Sequence, residues 1–476
     1  MTIKPDAPGS ALDSPPVREG RYGDRVIAVE PGGAEFIPLD ERHGRPLHLL
    51  WTWTSPNLEF ATVFLGVLAV AAFGLSFWQA VAAILVGTGL GAISHGVLSA
   101  RGPAHGLPQM ILSRAPFGYR GNLLPAGLNS IASGIGWFAV NSVSAALALT
   151  TLTGLPSAMC LAFVVLLQVT VGFFGHNLVH AFERFAFPVL AVIFVIGSAI
   201  ILANADLSAP GSGGGTGGFL LTVGATFGYV AGWNPYAADY TRYLPPGVSG
   251  RAVGWFAGAG IFSSCALLSI VGAASATMAG DALGDPTGVF TGHLPGPLAD
   301  LTLLVIALGA VCANALNVYS GSLSIVALGV RLPLALRRAI VAALAGVLGF
   351  LVALGGLRDA GHAYEGFLLI IAYWIGPWLG VMLTDLVLRR GRLITAAEVM
   401  PGHRRWQGAT AMATGMVVSI ALFCNQSLYV GPIPSAVPAI GDITFVVGFL
   451  LAALLYAFLP GTRPTASVPV GELPTR

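Results

Sequence analysis

Ionisable side chains inside otherwise apolar stretches are the residues of this chain whose chemistry most needs an explanation. Glu59 lies in the stretch 47–72, two residues after Asn57, and that stretch contains no Lys or Arg. A charge at such depth costs several kcal/mol, on the order of 3. A carboxyl buried without a cation therefore favours its protonated form, and it can hold a proton until the site reopens to water. The same position suits a carboxyl that hydrogen-bonds a ligand N–H, or one that merely lines a water-filled vestibule. Asp239 and Arg242 are three residues apart, a spacing that allows a pair on one helix surface with a structural or gating role. Asp300, Glu365 and Asp385 fall near the ends of apolar stretches, as do His95, His176 and His180, which read as interfacial. No HExxH, GxSxG or paired His/Asp cluster occurs, so no catalytic residue and no metal ligand is assigned. The four cysteines, Cys160, Cys265, Cys312 and Cys424, sit in apolar runs without CxxC spacing and read as small core residues.

The elements that must position these groups follow from composition. Charged residues are 9% of the 476-residue chain, against about 25% in soluble domains. Hydrophobic residues are 55%, and mean hydropathy is +0.79. A formal net charge of +2 leaves no basic face for phosphate, which excludes a nucleic-acid partner; the partner this composition asks for is a lipid bilayer. Crossing a hydrocarbon core takes roughly 20 apolar helical residues. Twelve such spans are expected, at 47–72, 78–99, 123–153, 157–176, 184–204, 217–243, 252–279, 299–329, 334–355, 364–388, 406–425 and 437–459. They are numbered span 1 to span 12 below. Of the 23 Lys and Arg residues, 22 fall in the two tails and the loops after even-numbered spans; only Arg358 falls elsewhere. The positive-inside rule then places both termini in the cytoplasm. Residues 1–46 and 460–476 are rich in Pro and Gly without apolar periodicity and are expected to be mostly disordered cytoplasmic tails flanking one transporter-sized domain, 47–459.

Non-helical backbone at membrane depth must be satisfied inside the protein, so helix breaks point to cavities. Span 1 carries Ser55-Pro56-Asn57, and span 6 carries Gly228, Gly232 and Pro235 around Trp233-Asn234. Two broken helices five spans apart are what an inverted five-plus-five repeat predicts, about 47–204 and 217–388, with 406–459 as two extra helices. Pro and Gly are also common in membrane helices without any such role. Gly87 and Gly91 form a GxxxG that reads as helix packing. Trp51 and Trp53 read as belt or packing residues.

Span 6 contains GYVAGWNPYAADYTRYLP, which resembles the matching helix of the purine-cytosine permease branch of the nucleobase:cation symporter family. GIGWFAVNSVSAALAL in span 3, CANALNVYSGSLS in span 8 and YWIGPWLGVMLTDLVL in span 10 resemble it too, in the same order, and the likeness covers roughly residues 35–460. The resemblance implies an all-α polytopic fold of the leucine-transporter type, alternating access, and uptake of a small heterocycle, a purine or cytosine, with H⁺ or Na⁺. It implies substrate contacts from Trp137 and Asn141, one turn apart on one helix face, from Asn317 and Asn314, from the backbone and aromatic wall around Gly232 and Trp233, and from the unwound segment that includes Asn57. An indole stacks on a planar ring, and an amide offers it a donor and an acceptor. Asn in a membrane helix also serves as glue between helices. Relatives carry an uncharged residue near Glu59, so this chain departs from the pattern there. Sodium-coupled relatives place hydroxyl groups in span 8 where this chain reads LGAVCAN, which favours H⁺ as coupling ion; no other cofactor is implied. A transporter of uracil, hydantoin, allantoin or a thiamine-precursor pyrimidine would share fold and motifs; a channel or a membrane enzyme is a remoter reading. Lys4 is the only Lys beside 22 Arg, which suggests a GC-rich genome and hence a bacterial inner membrane. The sequence names no protein partner.

Overall fold

The computed structural model describes residues 35–174, 176–278, 283, 286–329, 334–358 and 360–461, apart from the side chains at 172–187, 334, 335, 337, 338 and 341. His176 and His180 therefore lie outside the described side chains, as do residues 1–34 and 462–476 entirely.

Each expected span corresponds to helix. Span 1 is His48–Thr54, a 3-10 turn Ser55–Asn57, then Phe60–Val67 and a π-helical turn Leu68–Ala72. Span 2 is Phe77–Ser99, opened by a Ser76/Gln79 capping box that satisfies two of the free N–H groups at its start. Spans 3 to 5 are Leu123–Thr153 with a π-helical turn at Ala132–Trp137, Ser157–Phe174 and His176–Asn204. Span 6 is Gly215–Ala231, a 3-10 turn Asn234–Tyr236 and Ala237–Thr241. Spans 7 to 12 are Gly250–Ala276, Gly296–Ala327, Leu334–Gly356, Ala360–Arg389, Gln407–Phe423 and Thr444–Phe458. Span 12 starts later than its apolar pattern suggested, because 432–440 form two short turns after a hairpin at Asn425–Gln426 and Tyr429–Val430.

Contacts sort the helices into two layers. Spans 1, 2, 6 and 7 pack on one another, and spans 3, 4, 8 and 9 form a second group. Span 5 joins spans 7 and 8, while span 10 lies against span 6 and carries spans 11 and 12 on its outer flank. The C-terminal end of span 10 is held by buried charge: Arg389 donates to Asp385 at 2.5 Å and pairs with both oxygens of Glu398, and Tyr456 of span 12 donates to Asp385 at 2.9 Å.

Spans 1 and 7 meet backbone to backbone. A Cβ on Gly272 would collide with the Val63 carbonyl, and one on Gly66 with the Ser269 carbonyl. Neither obstacle is a flexible side chain, so Gly272→Ala is expected to destabilise the protein by about 1–3 kcal/mol, read as a lower melting temperature of the purified protein; an unchanged melt would mean the seam is loose. Gly87 and Gly91 do the same for span 2 against Thr226 and Val230 of span 6, as the GxxxG reading expects.

Two further expectations about the fold change. Residues 35–46 do not behave as a loose tail: Ile37 is buried, its N–H donates to the Gly106 carbonyl at 3.1 Å, and Arg42 donates to the Ile37 and Pro103 carbonyls at 3.0 and 2.6 Å. An apolar anchor and one cation are too few to produce a visible period in a Pro/Gly-rich stretch. Gly228 is not a helix break. The N–H of Gly232 donates to its carbonyl at 3.0 Å, so the helix runs through it, and the missing side chain lets span 6 approach the Leu368 carbonyl of span 10.

Candidate functional site

The sharpest departure from helix lies in span 1, whose two halves make an angle of 64°. Pro56 sits at the start of the 3-10 turn, and the extended residue is Glu59, at φ −143° and ψ 166°. Ser55, Pro56 and Asn57 thus form the turn, and the unwound part falls just after them. Glu59 is the residue preceding the second half, yet its side chain does not cap that helix. It points to span 6 instead, where the Tyr229 hydroxyl lies at hydrogen-bond distance from Oε1, 3.0 Å. Tyr229 also lies 2.6 Å from the Thr62 hydroxyl, and Thr62 donates to the Asn57 carbonyl at 2.7 Å. Polar groups freed by the break therefore find partners in one short chain of hydrogen bonds. Gly309 of span 8 lies where a Cβ would press on Leu58 and Glu59, so the break is seated against span 8 as well.

In span 6 the interruption at Gly232-Trp233 and Pro235 is milder than expected, with backbone angles that stay near the helical region. Asn57 and Trp233 tie the two breaks together: Trp233 Nε1 donates to Asn57 Oδ1 at 3.0 Å, while Asn57 Nδ2 donates to the Trp53 carbonyl at 2.7 Å. One N–H and one lone pair of the Asn57 amide are thereby engaged by protein, which ties Asn57 into the frame of the site.

Trp137 closes the π-helical turn of span 3, a distortion that concentrates at functional sites. Its ring packs over Gly232, where a Cβ would come within 2.8 Å of it, and meets Tyr229 and Phe367 edge-on at 5.4 and 4.9 Å. Gly136 leaves the room that Phe367 fills. Phe367 in turn borders a cavity of about 530 Å³ that includes Phe60, Phe64, Tyr364 and Leu428 of the hairpin after span 11. That cavity lies at the end of the protein opposite the Arg-rich loops.

One turn after Trp137, Asn141 Nδ2 donates to Asn314 Oδ1 at 3.0 Å, and Asn317 Nδ2 donates to the same oxygen at 3.2 Å. Tyr236 donates to Asn317 Oδ1 at 3.4 Å. Trp137, Asn141, Asn317, Glu59 and Trp233 are all buried, and they converge between the two helix layers. Asn314 is there too, but its NH₂ goes to the Phe138 carbonyl at 2.9 Å and to Ser142 at 3.3 Å.

Asp239 and Arg242 lie further along span 6 and are buried. Asp239 Oδ1 accepts from the Gln109 N–H at 2.9 Å; Arg242 donates to the Asp239 carbonyl at 3.2 Å and to the hydroxyls of Tyr243 and Tyr319 at 3.1 and 3.3 Å. They fasten the Arg-rich end of span 6 to span 8 and to the loop before span 3. Trp53 is buried against His95 and Trp233, whereas Trp51 is 41% exposed, so the first is packing and the second a belt residue. His95 is buried rather than interfacial. All four cysteines are buried, and none forms a disulfide.

Sequence reasoning missed Thr62, Tyr236, Phe367, Ser142 and Gln168. Gln168 carried a usable signal, as the only amide in span 4; a Thr three residues past a break or a Phe among many carried none.

A sequence profile of the permeases for cytosine/purines, uracil, thiamine and allantoin matches residues 36–448. The chain is 29% identical over 452 residues to the putative purine-cytosine permease YxlA of Bacillus subtilis, covering 92% of this chain and 97% of that one. It is 26% identical to the purine-cytosine permease fcyB of Emericella nidulans, covering 96% and 95%. Its fold matches that of Mhp1, a nucleobase-cation-symport-1 family transporter solved in a closed conformation with bromovinylhydantoin bound, at a TM-score of 0.70 and 21% identity over 88% of this chain and 92% of that one. The two broken helices, the two four-helix layers and a profile match across nearly the whole length lead to one assignment: this integral membrane protein belongs to the family of permeases for cytosine/purines, uracil, thiamine and allantoin.

Proposed function

We propose that the protein imports a nucleobase, a purine or cytosine, together with H⁺ across a bacterial inner membrane, with both termini in the cytoplasm. The base stacks on Trp137, is hydrogen-bonded by Asn141 and Asn317, and borders the Gly232-Trp233 backbone. Relatives named purine-cytosine permeases support the substrate class. Alternating access is supported by the asymmetry of the two ends: a cavity borders Phe367 on one side, and Asp239, Arg242, Tyr243 and Tyr319 pack the other. No covalent step is needed.

The observation that carries H⁺ coupling is a count of hydrogens. Three contacts link the Glu59 carboxyl, Tyr229, Thr62 and the Asn57 carbonyl, at 3.0, 2.6 and 2.7 Å, but the two hydroxyls bring only two hydrogens. A carbonyl can only accept, so Thr62 supplies the last contact and Tyr229 the middle one; the first then needs the proton of a neutral Glu59. An ionised Glu59 takes the Tyr229 hydrogen and leaves one of the other contacts empty. Protonation of Glu59 thus strengthens the tie between the break of span 1 and the first half of span 6, and loss of the proton loosens it. Coupling requires that substrate and proton favour the same closing step, and this chain of bonds supplies a reason for the proton to do so.

The test is thermal stabilisation of the purified protein by adenine, hypoxanthine, guanine, cytosine, uracil, hydantoin and allantoin, with and without Na⁺, at pH 5.5 and pH 7.5. Stabilisation by a purine or cytosine, larger at the lower pH and indifferent to Na⁺, is expected. Stabilisation only by hydantoin or allantoin, named for other relatives, would overturn the substrate; dependence on Na⁺ would overturn the ion.

A further inference from the structure

We propose that Asn314 is a positioning residue that fixes which end of the Asn141 and Asn317 amides faces the substrate, so that the site accepts hydrogen bonds and selects an amino-substituted heterocycle. The inference rests on the nucleobase reading and deepens it.

The two ends of an amide differ only in what they can give, so their assignment must come from partners that are not ambiguous. Two backbone carbonyls provide it here. The Ala310 carbonyl can only accept, and it lies 3.3 Å from Gln168, so Nε2 is the atom that faces it and Oε1 faces Ser142 at 2.7 Å. The Phe138 carbonyl lies 2.9 Å from Asn314, so Nδ2 must face it, and this NH₂ also reaches the Ser142 oxygen at 3.3 Å. The Ser142 hydrogen is committed to Gln168 or to the Phe138 carbonyl, at 2.7 and 2.6 Å, which leaves Ser142 an acceptor toward Asn314.

Asn314 therefore presents its oxygen, and only its oxygen, to the site. Asn141 and Asn317 turn their NH₂ groups to it, at 3.0 and 3.2 Å. Their own oxygens face away. Asn317 Oδ1 receives Tyr236, but Asn141 Oδ1 is buried without a protein partner, and so is Glu59 Oε2. A buried acceptor left unpaired is costly, whereas a ligand N–H removes that cost on binding. A ligand that offers a carbonyl or a methyl at the same place does not, which is how a site built to hydrogen-bond one group rejects a neighbour of the same shape.

Two matched pairs test this: adenine against 6-methylpurine, and cytosine against 4-methylpyrimidin-2-one, in each of which a methyl replaces the amino group with little change of shape. Kd is measured on the purified protein by titration. In the natural protein the amino member of a pair is expected to bind about tenfold more tightly or better. In Asn314→Leu the freed amides can turn over, and the ratio should fall toward one; Asn141→Leu, which removes the unpaired oxygen, should lower the ratio as well and serves if the first variant does not fold. A merely structural role for Asn314 would weaken both members alike and leave the ratio unchanged, which overturns the proposal. Equal binding within both pairs in the natural protein overturns it too, while the nucleobase reading stands. Binding of none of the four overturns this inference, and if guanine and hypoxanthine fail to bind as well, the nucleobase reading falls with it.

Discussion

Glu59→Gln is expected to separate substrate binding from the proton gradient. A glutamine amide donates and accepts like a neutral carboxylic acid, so it can fill the contact to Tyr229 in place of the proton and hold the bond chain to Thr62 and Asn57 complete at every pH. In the natural protein, binding that takes up one proton should tighten as pH falls, by about tenfold per pH unit at most. The sign follows from which state holds the proton: the closed, substrate-bound state favours neutral Glu59, so affinity is greatest at low pH and declines once the carboxyl ionises. The variant should bind within severalfold of the natural protein, show a flat pH profile, and in vesicles equilibrate substrate without accumulating it. The other titratable groups around Glu59 are the phenols of Tyr229 and Tyr364 and the thiol of Cys265, side chains that ordinarily lose their protons only above this pH range, so they do not mimic the effect. A steep pH profile that survives in Glu59→Gln would place the coupling elsewhere.

Trp137→Ala is expected to weaken nucleobase binding by about tenfold to a hundredfold, since stacking of a base on an aromatic ring contributes about 1–3 kcal/mol. The ring also closes the contact between Phe367 and the Gly232 backbone. Its loss should therefore raise substrate dissociation more than it slows association. Trp51→Ala is the control, because that ring is 41% exposed at the start of span 1 and touches none of the site. Equal effects of the two substitutions on Kd would remove Trp137 from the binding surface.

Much of the fold was legible because hydrophobic length and Arg distribution are independent of each other and give the same count of spans. The break in span 1 was legible because Pro56 sits where a helix hydrogen bond would be needed. Gly228 misled for the converse reason: glycine permits a break but also permits close packing, and only the carbonyl of Leu368, a residue 140 positions away in span 10, decides between them. The roles of the asparagines were hidden in the same way. Asn57 and Asn314 have the residue type and depth of ligand-binding groups, and their amides also bond Trp233, Phe138 and Ser142. Whether an amide is free is a property of its neighbours in space, and a spacing along one helix does not report it. The bond chain through Tyr229 and Thr62 joins residues 167 and 170 positions apart and has no local signature at all.

That separation bears on how the chain is made. The side-chain hydrogen bonds that span 1 exchanges with other spans link residues from 167 to 303 positions apart, reaching spans 6, 7 and 10. During synthesis, span 1 enters the bilayer long before any of those partners exists. Its kinked backbone and its carboxyl must wait, at the translocon or in contact with water, until the second half of the chain emerges. A nascent chain halted after span 5 would hold this segment unsatisfied, as a target for quality-control proteases, and the first helix to be inserted would be among the last to settle.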